Sequence, residues 1–229
     1  MLSSLVPRPS AGPRVAVAAV AAVVYAGVLG APGVAATAPK VVEVPSRPAF
    51  VRPLGRTEVP ARSGQTLPQQ SLLRTQKPGR MQVRLPDGRS FRLGGDALLR
   101  LNGRQLELQQ GQIIAWVNPG SKGGAPLQIR TRVATASIVG TTVFIEASDD
   151  QLKVFSWEGT VLVETDAGQR YSLRSGEQLS YAAASGWAAP RLLSRAELDT
   201  RRERSILLNG FQAPMETLPV IQKELGFSR

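Results

Sequence analysis

The feature that most constrains this chain is a two-residue rhythm interrupted by tight-turn pairs. Met81, Val83 and Leu85 alternate with Gln82 and Arg84, the pattern of a strand with one dry and one wet face. Pro86-Asp87-Gly88 follows, and the chain returns with Phe91 and Leu93 flanking Arg92. Asp-Gly tolerates the positive φ of a short hairpin turn. The device recurs at once: Leu99 and Leu101 flank Arg100, Asn102-Gly103 turns the chain, and Leu106 and Leu108 flank Glu107. Two hairpins are expected. Ile113–Val117, Val143–Ile145 and Val161–Val163 are continuous apolar runs, expected as strands buried on both faces. Gly, Asp, Asn or Pro punctuate the gaps, and no long helical pattern interrupts residues 81–184. The expected fold class is all-β, with hairpins forming a twisted β-sandwich or a β-helix-like body, followed by one C-terminal helix.

That helix is expected over Arg195–Leu208. Ser194 and Glu197 have capping-box spacing, Leu193 and Leu198 occupy staple positions, and Gly210 suits a left-handed C-cap. The tail beyond it, with Phe211, Met215, Leu218, Val220, Ile221, Leu225 and Phe227, is too apolar to stay in water. It is expected to pack back on the body, the alternative being a partner.

Met1 to Gly30 reads as a secretory leader. Arg8 and Arg14 precede an uncharged stretch from Val15 to Ala31, Pro32-Gly33 breaks it, and Ala36-Thr37-Ala38 offers a small-residue cleavage site. Residues 1–38 are thus expected to be a signal peptide or, if uncleaved, a membrane anchor. The corresponding locations are periplasmic or secreted, or single-pass in the inner membrane.

The net charge of +11 invites a nucleic-acid reading, and its distribution argues against one. Residues 81–189 carry eleven basic against ten acidic side chains, whereas residues 39–80 carry eight against two. Eight of the 17 prolines fall between Pro32 and Pro78. Residues 39–60 are therefore expected to be a basic Pro-rich linker, 61–189 the all-β domain, and 190–229 the helix and tail. No nucleic acid is expected as partner, and a carbohydrate or anionic envelope polymer is the alternative to a protein.

The chain has no cysteine and no histidine, which removes thiolate nucleophiles, imidazole ligands and every His-dependent triad. Paired carboxylates remain conceivable among Glu146, Asp149, Asp150, Glu158, Glu164 and Asp166, and Lys122 or Lys153 could serve a Ser–Lys dyad. No S-x-x-K, G-x-S-x-G, phosphate-binding loop or calcium loop accompanies them. The expectation is a non-enzyme without cofactor or metal. Of the tryptophans, Trp116 is expected in the core, while Trp157 and Trp187 are candidate ligand contacts at the surface.

The body resembles the FecR domain, an all-β module found outside the cytoplasmic membrane of many bacteria. The resemblance runs over roughly residues 60–184, through Gly64-Gln65-Thr66-Leu67, Leu73-Arg74-Thr75 and the Met81–Ser90 hairpin. It continues in Val139-Gly140-Thr141-Thr142-Val143-Phe144, Glu158-Gly159-Thr160-Val161 and Ser175-Gly176-Glu177-Gln178. Val139 stands where the family commonly has Arg, and Phe144 lies one residue late. Gly140, Thr141, Thr142, Phe144, Glu158, Gly159, Gly176 and Glu177 are the motif residues, expected to be structural. The resemblance implies a protein-interaction module of the cell envelope with an envelope protein as partner, in extracytoplasmic signalling. Regulators of the family restrain a sigma factor through a cytoplasmic segment, and the fourteen residues before the apolar stretch are too few for one. Sigma-factor regulation is thus a second alternative.

Overall fold

The computed structural model describes residues 38–117 and 124–227. The leader expected over 1–38 lies outside the described residues except for Ala38, and so does Lys122. Lys40–Ser46 (β1), Ala49–Arg52 (β2) and Val59–Pro60 (β3) precede Leu72–Thr75 (β4) and Arg80–Arg84 (β5). Ser90–Asn102 (β6) and Gln105–Trp116 (β7), of 13 and 12 residues, form the long central hairpin. Leu127–Arg130 (β8), Ala134–Ile138 (β9), Thr142–Ala147 (β10) and Gln151–Glu158 (β11) follow. Val161–Thr165 (β12), Arg170–Leu173 (β13), Glu177–Ala182 (β14), Gly186–Trp187 (β15) and Arg191–Leu192 (β16) complete the strands. Arg195–Arg204 (α1), Ile206–Asn209 (α2) and Leu218–Glu224 (α3) close the described chain.

Both expected hairpins form. Met81 pairs with Leu93 and Val83 with Phe91, while Leu101 pairs with Leu106 and Asn102 with Gln105 around Gly103, whose φ is +62°. The long hairpin then bends. The β6 ladder is interrupted between Gly94 and Leu98, and Gly111 of β7 has φ +89° with its Cα hydrogens against the backbone of Ala97. A side chain at Gly111 would be strained and would overlap that backbone. The bend hands each half of the hairpin to a different layer. The distal half pairs with β4 and with β8, a parallel pairing, while the proximal half pairs with β5 and β10.

Two layers result, joined through β6 and β7. The first runs β3-β2-β4-β6-β7-β8-β9-β12-β13, the second β1-β5-β6-β7-β10-β11-β14, with β15 and β16 beside β14. Their inner faces share one core. Val51, Leu73, Leu99, Ile129 and Val163 of the first layer meet Met81, Phe91, Ile113, Val143 and Leu179 of the second, all buried. Each such side chain stabilises the fold by about 1.5–3 kcal/mol through area removed from water. The sheet is open, and of the two expected arrangements this is the sandwich.

Three local expectations need correction. Residues 39–60, expected as a linker, hold strands β1 to β3, with β1 paired to β5 and β2 to β4. The prolines permit this because they sit at edges: Pro45 lies in bulged β1, Pro60 in the edge strand β3, and Pro48 and Pro53 flank β2. Leu162 is 57% exposed although Val161 and Val163 are buried, because the outer face of the first layer has no cover. The single expected helix is broken at Ser205, whose ψ of 100° ends α1 and whose side chain accepts from Leu208 N to start α2. Gly210 caps α2 at φ −95°, outside the left-handed region. The capping box of Ser194 and Glu197 forms as expected, with Leu193 and Leu198 both buried. No helix among the described residues is long and apolar enough to cross a membrane.

Candidate functional site

The motif residues converge at one end of the second layer, where its outer face meets the C-terminal segment. Gly140 turns the chain at φ +64°, and Thr141 Oγ1 closes the turn by accepting from Val139 N (3.2 Å) and donating to Thr160 O (3.3 Å). Gly159, at φ +73°, leaves room for Thr141: a Cβ there would stand 2.7 Å from Thr141 Cγ2. Gly176, at φ +83°, donates to Ser156 O and accepts from Leu193 N, and Glu177 accepts from Arg174 N at 2.7 Å. Glycines and hydroxyls thus interlock three turns, as their residue types imply.

Thr142, Phe144 and Glu158 do something else: they face residues 198–227. Gln82, Arg92, Ile114, Phe144, Phe155 and Gln178 are register neighbours across six strands, and Ser90, Trp116 and Thr142 form the next row. Against this face pack Leu198, Leu207, Leu208, Met215, Ile221, Leu225 and Phe227, forming a second core with Ile114, Trp116, Phe155 and Trp157. The apolar tail therefore packs back on the body.

Polar bonds pin it there. Arg92, 1% exposed, donates from Nε to Gln82 Oε1 (2.8 Å) and from its other nitrogens to the carbonyls of Leu207 (2.8 Å), Leu208 (3.2 Å) and Ala213 (2.7 Å). Its guanidinium lies over the rings of Phe211 and Trp116. Burial lowers the Arg92 pKa to about 10, opposed by the charges of Glu43 and Glu216. Glu43 accepts from Gln212 N and Ala213 N, and Trp116 Nε1 donates to Glu216 at 2.7 Å. At the motif itself, Thr142 Oγ1 donates to Glu158 Oε1 at 2.8 Å and lies 2.7 Å from Thr217 Oγ1. Gly159 N donates to Glu224 Oε2 at 3.0 Å, and Ser175 also bonds that carboxylate. Burial raises the Glu158 carboxyl to about 7; the Thr142 bond opposes the rise and the negative charge of Glu224 adds to it.

Most of the candidate catalytic carboxylates are held by partners of their own. Glu146 accepts from Gln112 (2.7 Å) and pairs with Lys153 (3.4 Å), Glu164 pairs with Arg170, and Asp149 with Arg132. Asp150 accepts from Ser148. Trp116 is in the core as expected. Trp157 is fully buried, which removes it from the surface contacts: it lies on the face that the tail covers, edge-on to Phe155 at 4.9 Å. Trp187 is half-buried, with ring centroids 6.0 Å from Tyr171 and 5.0 Å from Tyr181. Beside α1 the tail leaves a groove of about 870 Å³, lined in part by Phe144, Glu146, Lys153, Arg201 and Leu207. Arg201 bonds Gln178 and stacks over Phe155 at 4.4 Å.

Arg92, Glu43, Glu216, Thr217 and Glu224 carry this seam and were not singled out by sequence. Arg92 sat in an alternating strand on the face expected to be wet, and only the apolar tail hinted that this face has a cover.

The fold places the chain among open two-layer antiparallel β proteins. Residues 71–162 match the family model described as FecR protein, so the chain carries a FecR domain. Gly140, Thr141, Thr142, Phe144, Glu158 and Gly159 lie within the match, Gly176 and Glu177 beyond it. Two crystal structures, at 2.50 and 1.65 Å resolution, of "a putative anti-sigma factor from Parabacteroides distasonis ATCC 8503" are similar in part. Both are 22% identical to this chain, with TM-scores of 0.46 and 0.44. The similarity covers 55% and 52% of this chain, and 61% and 58% of those chains. No curated protein matches the sequence.

Proposed function

We propose that this chain is a non-enzymatic protein-interaction module of the bacterial cell envelope, working in extracytoplasmic signalling. The FecR domain and the leader-like N-terminal residues support the place and the process. The observation that carries the interaction is the edge strand β13, which among the described residues pairs only with β12. Its backbone edge can take an added strand, the mode in which main-chain hydrogen bonds give affinity. Tyr171 on that strand belongs to the half-buried trio with Trp187 and Tyr181, and Leu162, paired with Ser172, is exposed beside it. Aromatic side chains next to an open edge are the composition of protein contacts.

The test places a photo-crosslinking residue at Ser172 in the protein made with its native leader in its own host. A discrete protein adduct that disappears with Trp187→Ala is the expected result, from a species whose intact mass begins near Thr37 or Pro39. Absence of an adduct, together with salt-resistant sedimentation of the protein with isolated cell wall, would replace this reading by a wall-polymer module.

A further inference from the structure

The eight motif residues divide into turn-formers and a seat for the chain's own C-terminal segment, and that seat has an unusual chemistry. Its anchoring bonds on the body side come largely from side chains: the Arg92 guanidinium, the Glu43 carboxylate, the Trp116 indole and the Thr142 hydroxyl. On the segment side they meet mainly backbone groups and the two residues before α3. At the α3 end the seam brings two carboxylates together. Glu158, 4% exposed, ends β11, and Glu224, in the last turn of α3, is bound to the backbone of the next residue, Gly159.

We propose that residues 211–227 are a proton-controlled latch on the FecR domain, closed while Glu158 is protonated and loosened when Glu158 is ionised beside Glu224. Among the described residues, the groups around Glu158 offer it no countercharge. β10 offers the Thr142 hydroxyl, the residue before α3 offers Thr217 behind it, and the turn before β14 offers Ser175, already bound to Glu224. Glu224 is the charged group that faces it from α3 and acts on its titration. Glu216 is directed elsewhere, to Trp116 and, at 3.0 Å, to Arg84. Within the seat, Thr142 links the two sides as a relay from Thr217 to Glu158, so the state of that carboxyl is felt by the residue on which α3 begins.

The sign follows from linkage. Glu158 titrates near 7 with the latch closed and near its ordinary 4.5 with the latch open. Below 4.5 both states hold the proton and closure is at full strength. Between the two values the closed state binds one more proton, so the opening constant rises about tenfold per pH unit. Above 7 it levels off. Opening uncovers Trp116 and Trp157, whose indoles then report it. The latch concerns the chain's own segment and stands apart from the partner proposed for β13.

Amide hydrogen exchange on the full chain between pH 5 and 8, corrected for intrinsic rates, tests this. Residues 211–227 are expected to exchange by an opening separate from that of β7 and β10. Their protection is expected to fall about tenfold per pH unit up to pH 7, with a parallel change in tryptophan fluorescence. Glu158→Gln is expected to keep the protection flat across the range. Should that variant fail to fold, Glu224→Gln serves: removing the facing charge is expected to shrink the total loss. A wild-type segment that opens only together with the core, or with no pH slope, would overturn the latch, as would an unchanged slope in folded Glu158→Gln or an unchanged total loss in folded Glu224→Gln.

Discussion

The outer face of the first layer carries Arg74, Arg100, Glu107, Arg130, Glu164 and Arg170, whereas that of the second carries Ile114, Trp116, Phe144, Phe155 and Trp157. Both faces belong to strands of the same sandwich, and β6 and β7 contribute to each. The first is paired off in surface ions, Arg74 with Glu58 and Arg170 with Glu164, contacts worth about 0–1 kcal/mol each. The second is dry because residues 198–227 lie on it. The difference teaches where stability and specificity reside: one face is tolerant, the other is an interface within a single chain.

Substitutions can break that contrast, in descending order of effect. Gly111→Ala strikes the bend common to both layers and is expected to cost at least ~4 kcal/mol, since both the positive φ and the contact with Ala97 forbid a side chain. A urea unfolding midpoint close to wild type would show that the bend is not needed. Trp116→Ala on the covered face is expected to cost about 3–5 kcal/mol in the same assay. Arg92→Met removes the donor to three carbonyls and leaves them buried, for an expected loss of about 2–3 kcal/mol. That variant should also weaken protection of residues 207–213 in hydrogen exchange, more than that of β8 or β9. Leu162→Ser on the uncovered face should move stability by no more than about 0.5 kcal/mol. A larger loss there would mean that the first layer is covered after all.

Much of the fold was legible because its signals are local. Asp87-Gly88 and Asn102-Gly103 specify turns within a few residues of the strands they join, and Ser194 with Glu197 specifies a helix start. Ile113–Val117 showed by its unbroken apolar run that this end of β7 is buried on both sides, and it is. The same rule failed for Val161–Val163, where one exposed leucine mimics a doubly buried strand. Proline counting misread β1 to β3, because composition does not register that edge positions need no outward N–H. At the seam, the glycines and threonines of the motif were visible as a pattern. Their partners were not: Thr142 meets Thr217 and Arg92 meets Ala213 across 75 and 121 residues of sequence. No spacing rule reaches that far.

The bent hairpin also ties the two layers into one unit. Leu101 and Leu106 are near neighbours in sequence, so the β6–β7 tip closes at small entropic cost. Both layers include this hairpin, and β4, β5, β8 and β10 pair directly with its strands. The two layers therefore cannot mature as separate units, and cutting the molecule between them would leave each half without its first template.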